Sequence, residues 1–161
     1  MAPAEEKWQN LQTSILDRLV DREPGVSREP VQRRLVNVGQ VKAWVVRDLE
    51  QLLNTRRDIR VPPPAYSEVH HSLFMFGLPD FTAENPKNVA ARQRLRQEIE
   101  RTIVLFEPRL RNVTVHMETP TDKERSLRFR ITGLLIAEPE AEPVTFDTYF
   151  DVNRGQYVIS R

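Results

Sequence analysis

Phe106-Glu107-Pro108-Arg109-Leu110 is the stretch on which the fold turns. Before it, apolar residues recur at helical spacing; after it they alternate with polar ones, so a helical half of the chain gives way here to a stranded half. Proline has no backbone N–H, clashes with the preceding turn and pushes the residue before it out of helical geometry, so a helix must stop against Pro108. A carboxylate, Glu107, and a guanidinium, Arg109, stand on either side of that stop, framed by Leu105, Phe106 and Leu110. Apolar neighbours on both sides predict partial burial, and partly buried charges pair or find a partner.

Upstream, the spacing predicts a helix over 86–106, with Ala91, Leu95, Ile99, Thr102, Ile103 and Phe106 inward and a charged outer face. Asp80 to Asn88 supplies its turn and cap residues. The run from His70 to Asp80, broken by Gly77 and Pro79, reads as extended, which points His70 and His71 to opposite faces. Pro62-Pro63-Pro64 forces an extended connection. Pro63-Pro64-Ala65-Tyr66 also matches a short WW-domain ligand, although a plain connector explains it more simply. A second long helix begins near Val38, with Val38, Val41, Val45, Leu49, Leu52 and Leu53 in one stripe and Arg47, Asp48 and Glu50 elsewhere; Asn54 is its predicted C-cap. Farther upstream Trp8, Leu11, Ile15 and Leu19, with Leu16 beside them and Asp17 and Arg18 facing away, form a short amphipathic helix, followed by a proline-punctuated linker to Pro30. So short a helix must pack on something, and two readings stay open: a cap on the domain core, or a detachable arm that docks on a partner. The domain plan is an arm over residues 1–30 and a single domain over 31–161.

Downstream the period is two. Val113, Val115 and Met117 alternate with Thr114 and His116; Leu127, Phe129 and Ile131 with Arg128, Arg130 and Thr132; Val144, Phe146, Thr148, Phe150 and Val152 with Asp147, Tyr149 and Asp151. A turn at Asn153-Arg154-Gly155 returns the chain as a strand over 156–160, and 120–126 and 138–143 read as polar loops. The fold class is α+β: an antiparallel or mixed sheet of about four strands packed against two long helices, with the N-terminal amphipathic helix added.

Composition narrows function by exclusion. The 161 residues carry 24 Lys plus Arg against 23 Asp plus Glu, a net charge of +1, which creates no field to draw in nucleic acid or an anionic membrane. Arginines are interleaved with acids, and no nucleic-acid-binding motif occurs. No apolar run reaches the ~18 residues of a membrane span, and Met1 to Glu6 lacks the plan of a signal peptide, so a cytoplasmic location is expected. Cysteine is absent, which excludes disulfides and thiolate metal sites; three histidines with no chelating spacing argue against a metal centre. Lysine occurs only at positions 7, 42, 87 and 123, so arginine dominates the basic set. That bias fits either an interface-rich surface or a codon preference.

Catalysis finds no support. An acid/base hydrolase needs two carboxylates facing each other across a cleft, with one desolvated. Glu98 and Glu100 are two apart on a helix and do not face each other. Glu107 is the one acid in apolar company, and Arg109 beside it favours its ionised form, the wrong direction for a general acid. No nucleophile elbow, P-loop or dinucleotide turn is present.

Ser14 to Leu19, Arg47 to Arg57, Phe76-Gly77-Leu78-Pro79-Asp80 and above all Phe106-Glu107-Pro108-Arg109-Leu110 closely resemble the TssE family, in the family's order, from about residue 11 to 152. TssE proteins are small baseplate components of bacterial type VI secretion systems and are similar to the lysozyme-related wedge protein of contractile phage tails. The resemblance implies a structural subunit that binds wedge proteins (TssF, TssG and TssK-like) and templates the first ring of the contractile sheath (TssB/TssC-like). It implies a monomer alone and multiple copies in the assembly. The location it implies is cytoplasmic, docked at the inner-membrane-associated baseplate, with no cofactor, nucleic acid or membrane insertion expected. The family's Glu-Pro-Arg motif, associated with assembly contacts, falls on Glu107, Pro108 and Arg109. The N-terminal helix, through Ile15, Leu16, Arg18 and Leu19, is the expected anchor to the wedge. The lysozyme label implies no hydrolysis. A phage-tail-like particle, a soluble anti-adaptor of the same fold and, more distantly, a cell-wall glycosidase are the alternatives. Whether Glu107 and Arg109 hold this subunit's own turn or its neighbour stays open.

Overall fold

Asn37 opens the first long helix because its side chain supplies what a helix start lacks. Its carboxamide oxygen accepts from the Gln40 N–H at 2.8 Å while Gln40 Oε1 accepts from the Asn37 N–H at 3.1 Å, a reciprocal cap. The structure is a computed structural model that describes residues 37–58, 60–81, 88–118, 127–137, 140–151 and 154–160, together with Ile15, Leu19 and Gly25. Helix α1 spans Val38–Asn54, α2 Ser67–His70 and α3 Val89–Phe106, with a 3-10 turn at Leu73–Met75 between α2 and α3. Strands β1 (Leu110–Met117), β2 (Arg128–Ala137), β3 (Glu140–Asp151) and β4 (Gln156–Ser160) follow as one antiparallel sheet in the order β1-β2-β3-β4.

The two layers are stitched by one core. Val45, Leu49 and Leu52 of α1 and Leu95, Ile99 and Ile103 of α3 meet Val115, Phe129, Ile131, Leu135, Val144, Phe146 and Ile159 of the sheet. The opposite sheet face carries Thr114, His116, Arg130, Thr145, Asp147 and Tyr149, all exposed. Both long helices therefore cover a single face, which makes the fold the α+β arrangement expected from the change of period. Fully burying each such aliphatic side chain contributes roughly 1.5–3 kcal/mol.

The stretch Phe76-Gly77-Leu78 is clamped to the end of α1. Leu78 N–H donates to the Thr55 carbonyl at 2.9 Å and Arg57 N–H to the Leu78 carbonyl at 2.8 Å. Gly77 sits at φ +95°, and a Cβ there would lie 2.3 Å from the Thr55 carbonyl oxygen, so only glycine allows the approach. Phe76 then meets Phe106 edge to face at 5.2 Å between ring centres, tying the clamp to the helix stop.

Four local expectations are corrected. Residues 140–143 belong to β3: Ala137 pairs with Glu140, Ile136 with Ala141, Leu135 with Glu142 and Leu134 with Pro143, so the expected 138–143 loop shrinks to a connection at 138–139. Pro143 is tolerated because β4 pairs only with Asp147–Asp151, leaving β3 with a partner on one side there. Thr55, in extended conformation with its N–H donating to the Gln51 carbonyl at 3.1 Å, is the C-cap of α1; Asn54 is the last helical residue and its side chain bonds the Tyr157 backbone. His70 closes the short helix α2 and His71 is its C-cap, so the two do not lie in an extended segment. Finally, α3 starts at Val89, since the Asn88 carboxamide accepts from Ala90 and Ala91 N–H; the expected residues 86 and 87 lie outside the described residues.

Candidate assembly site at the helix stop

Pro108 does two jobs in succession. Glu107 before it leaves helical geometry (φ −120°, ψ 79°) while its N–H still donates to the Ile103 carbonyl at 2.8 Å, which ends α3 cleanly. Leu110 N–H then donates back to the Glu107 carbonyl at 3.0 Å, so Glu107-Pro108-Arg109-Leu110 is a β-turn with proline at its second position, where a fixed φ is favoured. The turn feeds directly into the sheet: Ile136 N–H donates to the Arg109 carbonyl at 2.8 Å and β1 begins at Leu110.

The two charges at this turn meet each other. Arg109 Nε donates to Glu107 Oε1 at 2.6 Å, Arg109 Nη2 donates to Glu107 Oε2, and the Arg109 backbone N–H donates to Oε1 at 3.2 Å. Nη2 also reaches Asp48 Oδ2 on α1 at 2.6 Å, and Asp48 Oδ1 in turn accepts from Arg47 at 2.8 Å. Glu107 is only 3% exposed, whereas a quarter of the Arg109 side chain remains open to solvent. Burial by itself lowers the Arg109 pKa, but the hydrogen bonds and charges of Glu107 and Asp48 outweigh it and hold the guanidinium further above its ordinary value. A bidentate fork of this kind is the strong form of ion pair.

What the turn presents to solvent is the exposed quarter of a guanidinium already paired with two carboxylates. Both oxygens of the buried carboxylate are committed to Arg109, leaving neither aimed at a substrate. A groove on the outer side of α3, between His70, His71 and the residues Glu100, Arg101 and Val104, contains one carboxylate, and Glu100 is occupied by Val115 N–H (2.8 Å) and Arg96 (3.0 Å). Among the described residues no group of three His, Cys, Asp or Glu could hold a metal ion, and no helix is long and apolar enough to cross a membrane.

The turn thus brings together Glu107, Pro108 and Arg109 of the sequence-predicted site. Of the N-terminal set, Ile15 and Leu19 have helical backbone and stand 74% and 73% exposed; Leu16 and Arg18 lie outside the described residues. Asp48 is the member that sequence reasoning missed. Its signal is faint: an acid flanking the apolar stripe of α1, inside the Arg47-to-Arg57 stretch that carries the resemblance, with its partner 61 positions away. No curated protein matches the chain. The family described as baseplate wedge protein gp25 matches residues 39–140, which take in α1, α3, β1, β2 and the turn between helix and sheet. With well over half of the 161 residues matched, the chain belongs to the gp25 baseplate wedge family, the family of the TssE proteins and a structural component of phage-tail-like baseplates.

Proposed function

We propose that this chain is the TssE-type subunit of a bacterial type VI secretion baseplate, joining the wedge proteins and templating the first ring of the contractile sheath. Membership of the baseplate wedge family across residues 39–140 carries the reading. The partners are wedge proteins of the TssF, TssG and TssK type and sheath subunits of the TssB/TssC type. The chain acts in the cytoplasm, with several copies docked at the baseplate beneath the inner membrane, and it is not an enzyme.

Three surfaces divide the work. Arg109, held rigid by Glu107 and Asp48 yet a quarter exposed, offers a preorganised cation to an acidic group on a neighbouring wedge protein. Residues 1–30 act as an arm, and the exposure of Ile15 and Leu19 supports docking of that helix, with Leu16 and Arg18, on a partner. The sheet gives the sheath an edge to extend by main-chain hydrogen bonding. Co-purification of the full chain with wedge and sheath proteins tests the reading; recovery of a protease adaptor in their place would support the anti-adaptor alternative and contradict it.

A further inference from the structure

The chain between Arg57 and Leu78 leaves the end of α1 and returns to it, its two ends bonded to each other through the Arg57 N–H and the Leu78 carbonyl. It is fixed internally as well. Tyr66 N–H donates to the Pro63 carbonyl at 3.0 Å, a β-turn with Pro64 at its second position, and His71 Nδ1 lies 2.8 Å from the Ser67 carbonyl. The stretch that matches a WW-domain ligand is therefore a turn and not the extended polyproline helix such a ligand requires. A loop held in this way presents its side chains at little ordering cost. Those it presents are apolar: Val61, Tyr66, Leu73 and Phe74 are exposed, Leu73 at 81%.

Beside this loop, α2 and α3 border an open groove of about 580 Å³, with His70 and His71 on one wall and Gln97, Arg101, Val104 and Leu105 on the other. Gln97 and Val104 are two turns of α3 apart, so the groove runs ~10 Å along the helix. Val104 stands 60% exposed in its wall. Charge in the groove is one-sided. Glu100 is offset by Arg96 at 3.0 Å and by the Val115 N–H at 2.8 Å, whereas no described residue pairs with the exposed guanidinium of Arg101.

We propose that this groove is a docking site for an amphipathic helix of a wedge protein, which lays apolar side chains along Val104 and Leu105 and sets a carboxylate against Arg101. This rests on the wedge-binding reading above and names a surface for it. A helix fits because both walls are helical and a third helix packs into the channel between them, with side chains at i, i+4 and i+7 spanning the two turns on offer. The carboxylate follows from the unpaired guanidinium in the wall.

The chain contains no cysteine, so Val104→Cys carries a single environment-sensitive fluorophore. Purified wedge proteins of the source organism are titrated into the labelled full chain, and emission from position 104 shifts to the blue on binding. Affinity is measured on unlabelled chains. Val104→Asp and Arg101→Glu each weaken binding at least about tenfold, whereas Val89→Asp, on the same helix, similarly exposed and outside the groove, leaves it unchanged. Binding that moves no emission at 104, wild-type affinity in both groove variants, or an equal loss in Val89→Asp overturns the groove and leaves wedge binding in place. A blue shift that grows with the concentration of the chain alone gives the groove to a second copy, and one in the dilute chain that Ile15→Asp with Leu19→Asp removes gives it to the chain's own arm; either overturns the proposed occupant. Absence of binding by the unmodified chain overturns both the groove and the wedge reading. The label, at an exposed position, decides the site even where a charged variant fails to fold.

Discussion

At the residue scale, Arg109 is the most consequential side chain of the turn. Its guanidinium satisfies a carboxylate that is 3% exposed, and removing one partner of such a pair leaves an uncompensated buried charge. Arg109→Ala should destabilise the isolated domain by about 3 kcal/mol in chemical denaturation. Arg109→Lys should recover only part of the loss, because an ammonium cannot span Glu107 and Asp48 with a planar fork. An unchanged midpoint in Arg109→Ala would show that the fork adds nothing to the fold. Comparing that loss with sheath assembly in cells separates strut from contact: a variant stabilised elsewhere, folded but without sheaths, assigns Arg109 to the neighbour as well. Tyr157 supplies a pH signature. Burial raises its pKa above the ordinary value near 10, so its contribution to stability is fully present below that pH and is lost as pH rises through the folded-state pKa. Tyr157→Phe should flatten the alkaline limb of a stability profile, and a limb of unchanged slope would assign the loss to other groups.

At the scale of elements, the helix stop is also the joint between layers. Pro108 ends α3, turns the chain and starts the β1–β2 ladder, while Arg109 reaches back to α1 and Gly77 holds the α1 terminus against Phe76 and Phe106. Gly77→Ala should cost at least about 2 kcal/mol, since it adds left-handed strain to a collision with a fixed carbonyl. A Tm within one degree of wild type would contradict the clamp. Asn54→Ala should cost roughly 1–2 kcal/mol by unpairing the Tyr157 backbone, seen as faster exchange of the Tyr157 amide. Unchanged exchange there would remove Asn54 as an edge cap. Both long helices and the inward residues Val115, Phe129, Ile131, Val144 and Phe146 of the first three strands were legible in the sequence, because amphipathic period is written locally in Val41, Val45 and Leu49 or in Phe129 and Ile131; the inward Leu135 and Ile159 were not read from it. The tip of the β2–β3 hairpin was not: Glu140, Glu142 and Pro143 have loop composition and become strand only through pairing with Ala137, Leu135 and Leu134. Asn54 misled for a related reason, since its partner lies 103 positions away and nothing local distinguishes a sheet-edge cap from a helix C-cap. Asp48 was hidden in the same way: the turn announced two charges, but the third arrives from another helix.

At the scale of the whole molecule, the single-faced two-layer arrangement leaves outside its core, among other groups, the exposed part of Arg109, the outward groups of β1, and the apolar pair Ile15 and Leu19. Replacing both Ile15 and Leu19 by Asp should leave domain stability within about 0.5 kcal/mol, since exposed positions away from packed features tolerate change, yet abolish recovery of wedge proteins. Loss of stability in that variant would instead place the helix on the domain core. Counting sheaths by fluorescence of a labelled sheath subunit in the source organism, with the gene deleted and then restored, tests the proposed sheath-templating role most directly. No assembled sheath is expected in the deletion strain at unchanged sheath-subunit abundance, with recovery on complementation; sheaths of normal number and length in the deletion strain would contradict that role.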